Sequence, residues 1–294
     1  MRGLLGGVGC VVLASILGGA PAHADLFFST GDPNGLMAAA SRPGAGEIET
    51  GDDFVLDART LITGASFTGL LPAGLNLSQI SDVVVEIYRI FPKDSADPPS
   101  GKVPSRVNSP SDVAFDSRDA AGSTLSFSTS VVSASFSALN SVLGGIHPLP
   151  NVTTGGDGPV TGQEVRLHVT FATPFNLPAD HYFFIPQVQL ASGAGDFYWL
   201  SAPKPIIAPG TPFTPDLQAW IRNENLSPDW LRIGTDIVGG TTPPTFNMSF
   251  SLTGAAVPEP SSAVMLAIAG AIFSRMVRPS RTTSDMPGKA AAPE

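Results

Sequence analysis

Beyond residue 24 the chain holds three histidines, His147, His168 and His181. Hydrolysis by a serine nucleophile needs a histidine in reach of a hydroxyl and a carboxylate; a zinc centre needs a tight group such as His-x-Glu-x-x-His. Neither pattern surrounds these histidines, and the sequence has no Gly-rich phosphate loop with a lysine. No catalytic residue is assigned, and the chain reads as non-enzymatic. Calcium asks for roughly six to eight oxygens from carboxylates and carbonyls. Asp112, Asp116 and Asp119 could supply some of them, and Asp52-Asp53 form a second acidic group. The spacing is not that of an EF-hand loop and Arg118 stands among the three, so turn and capping aspartates are the plainer reading. Calcium there is the single cofactor for which the sequence offers a candidate. The tryptophans Trp199, Trp220 and Trp230 are the last candidates. Exposed, their faces would stack on sugar rings; buried, they would fill a core, which is the commoner fate of so large a side chain.

The elements that must position these residues are strands. In 164–171, Val165, Leu167, Val169 and Phe171 oppose Glu164, Arg166, His168 and Thr170. In 245–253, Phe246, Met248, Phe250 and Leu252 oppose Asn247, Ser249 and Ser251. Such period-two alternation puts one face in a core and the other in water. Val83, Val85, Ile87 and Phe91 share a face across 81–91, with Arg89 breaking it. Leu125, Phe127 and Val131 alternate with serines, and the apolar parity then shifts to Val132, Ala134 and Phe136, which predicts a bulge or two strands. Further strands are expected near 26–29, 53–57, 61–68, 181–190, 196–201 and 230–233, and no stretch has the period of an amphipathic helix. Pro-rich excursions are expected over 92–119 and 203–215. One-sided alternation implies antiparallel sheets packed face to face, so the expected fold is all-β, an antiparallel sandwich of jelly-roll type.

Composition agrees. Charged residues are 14% of the chain, against roughly 25% in ordinary soluble domains, so its surface must be largely Ser, Thr and Asn. The net charge is −9, and losing Arg2 with a leader makes it one unit more negative. That excludes a nucleic-acid partner, which requires basic patches.

The two ends carry an address. Arg2, an apolar run and Ala22-His23-Ala24 follow the pattern of an export signal, with signal peptidase cutting after Ala24. Cys10, the only cysteine, lies inside it, so the exported chain has no disulfide and no thiolate metal site. At the other end come Val257-Pro258-Glu259-Pro260, the uncharged run Ser261–Ser274, and then Arg275, Arg278 and Arg281. That run spans roughly 21 Å at about 1.5 Å per helical residue, short of the roughly 30 Å hydrocarbon core. It suits a transient membrane contact better than a lasting anchor. The arginines would stay cytoplasmic.

Residues 257–281 resemble the PEP-CTERM sorting signal of bacterial surface proteins: a Pro-Glu-Pro motif, a short hydrophobic helix and a basic patch, in that order and paired with an export signal. The resemblance covers under a tenth of the chain. It implies recognition by an exosortase, cleavage near Val257–Pro260, and delivery to the cell surface, where such proteins accompany extracellular polysaccharide. Thr282–Glu294 depart from the pattern by continuing as a polar tail. A eukaryotic glycolipid-anchor signal would end in its hydrophobic stretch, so the arginines and the tail count against it.

The expected organisation is thus a signal peptide (1–24), a β-sandwich body (25–254), a sorting signal with a transmembrane helix (255–281) and a polar tail (282–294). The expected role is structural or adhesive in an extracellular matrix; the alternative is a carbohydrate-binding module using exposed aromatics, with an enzyme third.

Overall fold

The computed structural model describes residues 25–94, 108–146, 152–203 and 217–257. The signal peptide with Ala22 and Ala24, the motif Pro258–Pro260, the arginines at 275, 278 and 281, the polar tail and His147 lie outside the described residues. So do residues 95–107 of the first expected proline-rich excursion and all of the second beyond Pro203.

Among the described residues, fifteen strands follow in chain order. The first five are β1 (Asp25–Ser29), β2 (Met37–Ala40), β3 (Ile48–Leu56), β4 (Thr60–Leu71) and β5 (Ile80–Arg89). Next come β6 (Asp116–Asp119), β7 (Leu125–Ala138), β8 (Asn140–Val142), β9 (Val160–Leu177) and β10 (Asp180–Leu190). The last are β11 (Tyr198–Ala202), β12 (Trp220–Asn223), β13 (Leu231–Arg232), β14 (Asn247–Met248) and β15 (Phe250–Ala256). Helical geometry among the described residues is limited to one 3₁₀ turn, Leu77–Gln79, and one π turn, Ile233–Val238. The chain is all-β.

The strands make two sheets. β4 is the spine of the nine-stranded one: β9 runs along one edge and carries β7 outside it, while β15 and then β11 share the other edge. β1 flanks β15, and β2 and β8 extend the sheet beyond β11; β2–β8 is a parallel pair in otherwise antiparallel surroundings. The six-stranded sheet runs β13-β12-β3-β10-β5-β6.

Rings from the two sheets meet in a shared core. Phe28 of β1 lies 6.3 Å from Phe54 of β3, and Phe184 of β10 stacks on Phe250 of β15 at 5.0 Å. Trp199 of β11 and Phe67 of β4 also pack edge-on to Phe184. Each such pair contributes about 0.5–1.5 kcal/mol beyond its buried area. The apolar face behaves as its period requires, with Val165, Leu167, Val169 and Phe171 buried, and His168 and Thr170 opposite are exposed; Glu164, expected to face water with them, is instead buried, and Arg166 is half-buried. The parity slip in 125–136 is a bulge within one strand, with register shifts after Val131 and after Ser133.

Three differences from the expected elements have physical causes. Residues 116–119 form β6 against β5 instead of remaining in an excursion. The alternating segment 245–253 divides at Ser249 into β14, which pairs β11, and β15, which pairs β4 and β1. The body runs past its expected end at 254, because β15 continues through Ala256 along β4. Gly254 permits this: a Cβ there would sit 2.2 Å from the Leu61 carbonyl oxygen.

Candidate functional site

The face of the nine-stranded sheet turned away from the shared core carries a grid of hydroxyls. Cross-strand register places Ser29, Ser251, Ser66, His168 and Ser128 in one row across β1, β15, β4, β9 and β7. The row below it holds Phe27, Thr253, Gly64, Thr170 and Ser126, and the row above continues with Thr68, Arg166 and Ser130. Strands lie roughly 4.8 Å apart, so the hydroxyls form a regular array. Neighbours in it bond to one another: Ser66 Oγ lies 2.8 Å from Ser251 Oγ. Gly64 keeps the face flat, since a Cβ there would press on Thr253 Oγ1 and the Val169 carbonyl, both at 3.0 Å.

At the β1 end this face deepens into an open groove of about 390 Å³, lined by Phe27, Ser29, Asp32, Thr68 and Arg166 and by the Ser66–Ser251 pair. Thr30 anchors its rim, its hydroxyl donating to the Met248 carbonyl at 2.5 Å and accepting from the Phe250 amide at 2.9 Å. Gly31 follows at φ +96°, a conformation that favours glycine. The resulting turn brings Asp32 to Arg166, whose Nη2 donates to Asp32 Oδ1 at 2.6 Å while its Nε donates to Thr68 Oγ1 at 3.2 Å. The groove thus holds a cancelled charge pair, hydroxyls of both donor and acceptor kind, and one exposed apolar ring, Phe27, at 59% exposure, with the buried Phe67 and Phe250 beneath. It can bind a polyhydroxylated, uncharged surface; it has no nucleophile–base pair.

The six-stranded sheet's outward face is built differently. Glu49 of β3 and Arg222 of β12 pair across the strands, both buried, with Nη2 donating to Oε1 at 2.9 Å. The Tyr88 hydroxyl donates to Glu49 Oε1 at 2.7 Å and accepts from Arg222 Nη2 at 2.9 Å. The guanidinium lies over the Trp230 ring, 4.3 Å from its centroid. Desolvation opposes the Arg222 charge, but the adjoining Glu49 carboxylate outweighs it and holds the group above its ordinary value. Glu86, half-buried nearby, has its carboxyl pushed up to about 8 by desolvation first and then by the charges of Glu49 and Glu47. Tyr88, Phe183, Ile185, Leu217, Trp220 and Trp230 close over this cluster as a second apolar core.

The sequence candidates fall into these surroundings. All three tryptophans are buried, at 2% exposure or less, so the expectation of sugar stacking on Trp199, Trp220 and Trp230 is corrected. Trp199 Nε1 donates to the Ser249 carbonyl at 2.8 Å and Trp230 Nε1 to the Ser111 carbonyl at 2.9 Å, which fixes both rings in cores. The exposed ring is Phe27, whose only sequence signal was its place in a strand start.

The three candidate calcium aspartates have protein partners. Asp116 takes Arg118 in a two-point pair, at 2.5 and 3.0 Å. Asp119 accepts from the Gly122 amide in a turn, and Asp112 is buried beside Ser111. No group of three or more His, Cys, Asp or Glu side chains arranged to hold a metal occurs among the described residues. His168 stands exposed in the hydroxyl grid. His181 Nε2 meets the buried Asp53 Oδ2 at 2.5 Å. Asp53 also accepts from the Leu217 amide at 3.1 Å, a link that ties down the segment entering β12.

Comparison of the chain with protein families, with curated proteins and with solved structures returns no match in any of the three.

Proposed function

We propose that this is an exported, non-catalytic structural or adhesive protein of a bacterial surface matrix. In this reading the two sheets stack as a jelly-roll-like antiparallel sandwich, signal peptidase removes residues 1–24, and a PEP-CTERM-like C-terminus is processed by an exosortase during a transient membrane contact. The observation that carries the structural role is the flat hydroxyl grid across β1, β15, β4, β9 and β7: an ordered polar surface of this kind suits lateral contact with hydrated polymers. The sorting role rests on Val257-Pro258-Glu259-Pro260, the short apolar run and the arginines.

Replacing Pro258-Glu259-Pro260 by alanines tests it. The variant should still be exported but accumulate at full length in the membrane fraction, while the wild type reaches the surface without residues 282–294. Surface-released wild-type protein that retains Thr282–Glu294 would refute the sorting reading.

A second reading, a carbohydrate-binding module, is favoured by the groove beside Phe27. Its ligand would be a neutral glycan, because Arg166 and Asp32 cancel and the other side chains that bond there are hydroxyls.

A further inference from the structure

β7 is an edge strand without the usual protections of one. β9 pairs with it on one side, and no other strand of the described residues runs along its free side. Exposed edges offer unpaired N–H and C=O groups to any passing strand, and proteins blunt them with lysine, inward charge or proline. The β7 sequence, LSFSTSVVSASFSA, contains no charged residue and no proline. Its protection is limited to the bulges after Val131 and Ser133, which leave Leu125–Val131 regular. Exposed apolar side chains gather here as well, with Val131 at 46%, Val132 at 50% and Leu139 at 70% exposure.

The occupant that fits this edge is a second copy of the same strand. The chain carries a net charge of −9, so two copies repel one another overall. The β7 edge is a strip where that repulsion has no local source. Antiparallel pairing of identical strands is also closed and two-fold, so each half supplies the other's partner.

We propose that the chain self-associates through β7, with Leu125–Val131 of two copies adding edge to edge about a two-fold axis at Ser128. Ser128 then faces Ser128 of the other copy, Ser126 faces Ser130, and Leu125 faces Val131. The row Ser29–Ser251–Ser66–His168–Ser128 continues without a break into its symmetry mate, which doubles the width of the hydroxyl grid. The inference deepens the structural reading above and rests on it for its purpose. Its test is separate, because delivery to the surface is read by fractionation and pairing by cross-linking.

Cys10 is the only cysteine, so a full-length Cys10→Ala background makes any introduced thiol unique. Facing residues of an antiparallel pair lie within disulfide reach, at roughly 4.5–5.5 Å between Cα atoms. Ser128→Cys should oxidise to a covalent dimer at least about tenfold faster than Ser192→Cys on the exposed turn after β10, since pairing raises the effective thiol concentration. Ser126→Cys alone should stay at the control rate, but should cross-link when mixed with Ser130→Cys. In sedimentation, Ser128→Lys should be monomeric where the wild type is dimeric. Equal rates for Ser128→Cys and Ser192→Cys, self-cross-linking of Ser126→Cys as fast as that of Ser128→Cys, or a wild type that stays monomeric at high concentration would each overturn the pairing.

Discussion

The outward faces of the two sheets solve opposite problems with similar residue types. On the nine-stranded sheet, Arg166 and Asp32 pair in the open, beside water and serine hydroxyls. On the six-stranded sheet, Arg222 and Glu49 make the same kind of contact under a lid of Tyr88, Trp220 and Trp230. The first pair is screened and replaceable, so it is free to bind something else. The second has lost its water and has only its partners, so removing either member strands a charge. Position relative to solvent, and not residue type, separates a surface that can recognise from one that can only hold the fold.

The largest effect should therefore come from Arg222→Ala. It leaves Glu49 buried without its cation and removes the ring contact with Trp230, and breaking a buried pair in this way costs about 3–5 kcal/mol. Chemical denaturation of the variant should show this loss, or yield no folded protein at all. Replacing both Arg222 and Glu49 by methionine should recover much of it, because the desolvation penalty then disappears with the charges. A fully destabilised double variant would mean that the pair has no apolar substitute and that the two faces differ in more than solvent access.

A smaller effect belongs to pH. A carboxyl whose folded-state pKa lies above its unfolded value favours the fold below the unfolded value and loses that contribution as pH rises. Glu86 is pushed from 4.5 to about 8, so the urea midpoint should fall as pH climbs through that window. Glu86→Gln should flatten the slope. An unchanged slope would mean that burial beside Glu49 and Glu47 does not raise the Glu86 carboxyl in the folded state.

Much of one face was legible in the sequence and little of the other. Part of the hydroxyl grid follows from alternation: the serines between Leu125, Phe127 and Val131, and Ser251 between Phe250 and Leu252, had to face water, and the parity slip at Val131-Val132 predicted a bulge or two strands. The covered face gave no such signal. Glu49 and Arg222 are 173 residues apart, and no spacing rule joins them. β12, with Trp220, Ile221 and Arg222 all buried, shows no alternation because both of its sides are covered. β2 is Met-Ala-Ala-Ala, all four residues buried, and small uniform side chains carry no period. Trp220 and Trp230 were visible as residues but not as members of a second core. Phe27 was hidden for the reverse reason, since one exposed ring in a short strand looks like any other strand residue.

The smallest stability effect, and the one that decides whether the open face is built for binding, is expected from Phe27→Ala and Arg166→Ala. Phe27 is largely exposed, and surface substitutions of this kind usually shift stability by less than about 0.5 kcal/mol. The Arg166–Asp32 pair, with Asp32 exposed and Arg166 half-buried, is worth about 0–1 kcal/mol. Yet these side chains supply the ring and the fixed donors of the groove, and an aromatic platform contributes about 0.5–1.5 kcal/mol to a stacked partner. Each variant should thus fold like the wild type while its migration through gels containing a soluble neutral glucan is retarded less. Asp32→Asn should behave differently: it frees the Arg166 charge, so retardation by an anionic glycan such as alginate should appear where the wild type shows none. A loss of more than about 2 kcal/mol in Arg166→Ala, beyond what an exposed pair supplies, would show that the groove residues hold the sheet together. The two faces would then differ in degree alone, and the hydroxyl grid would lose its claim to be the recognition surface.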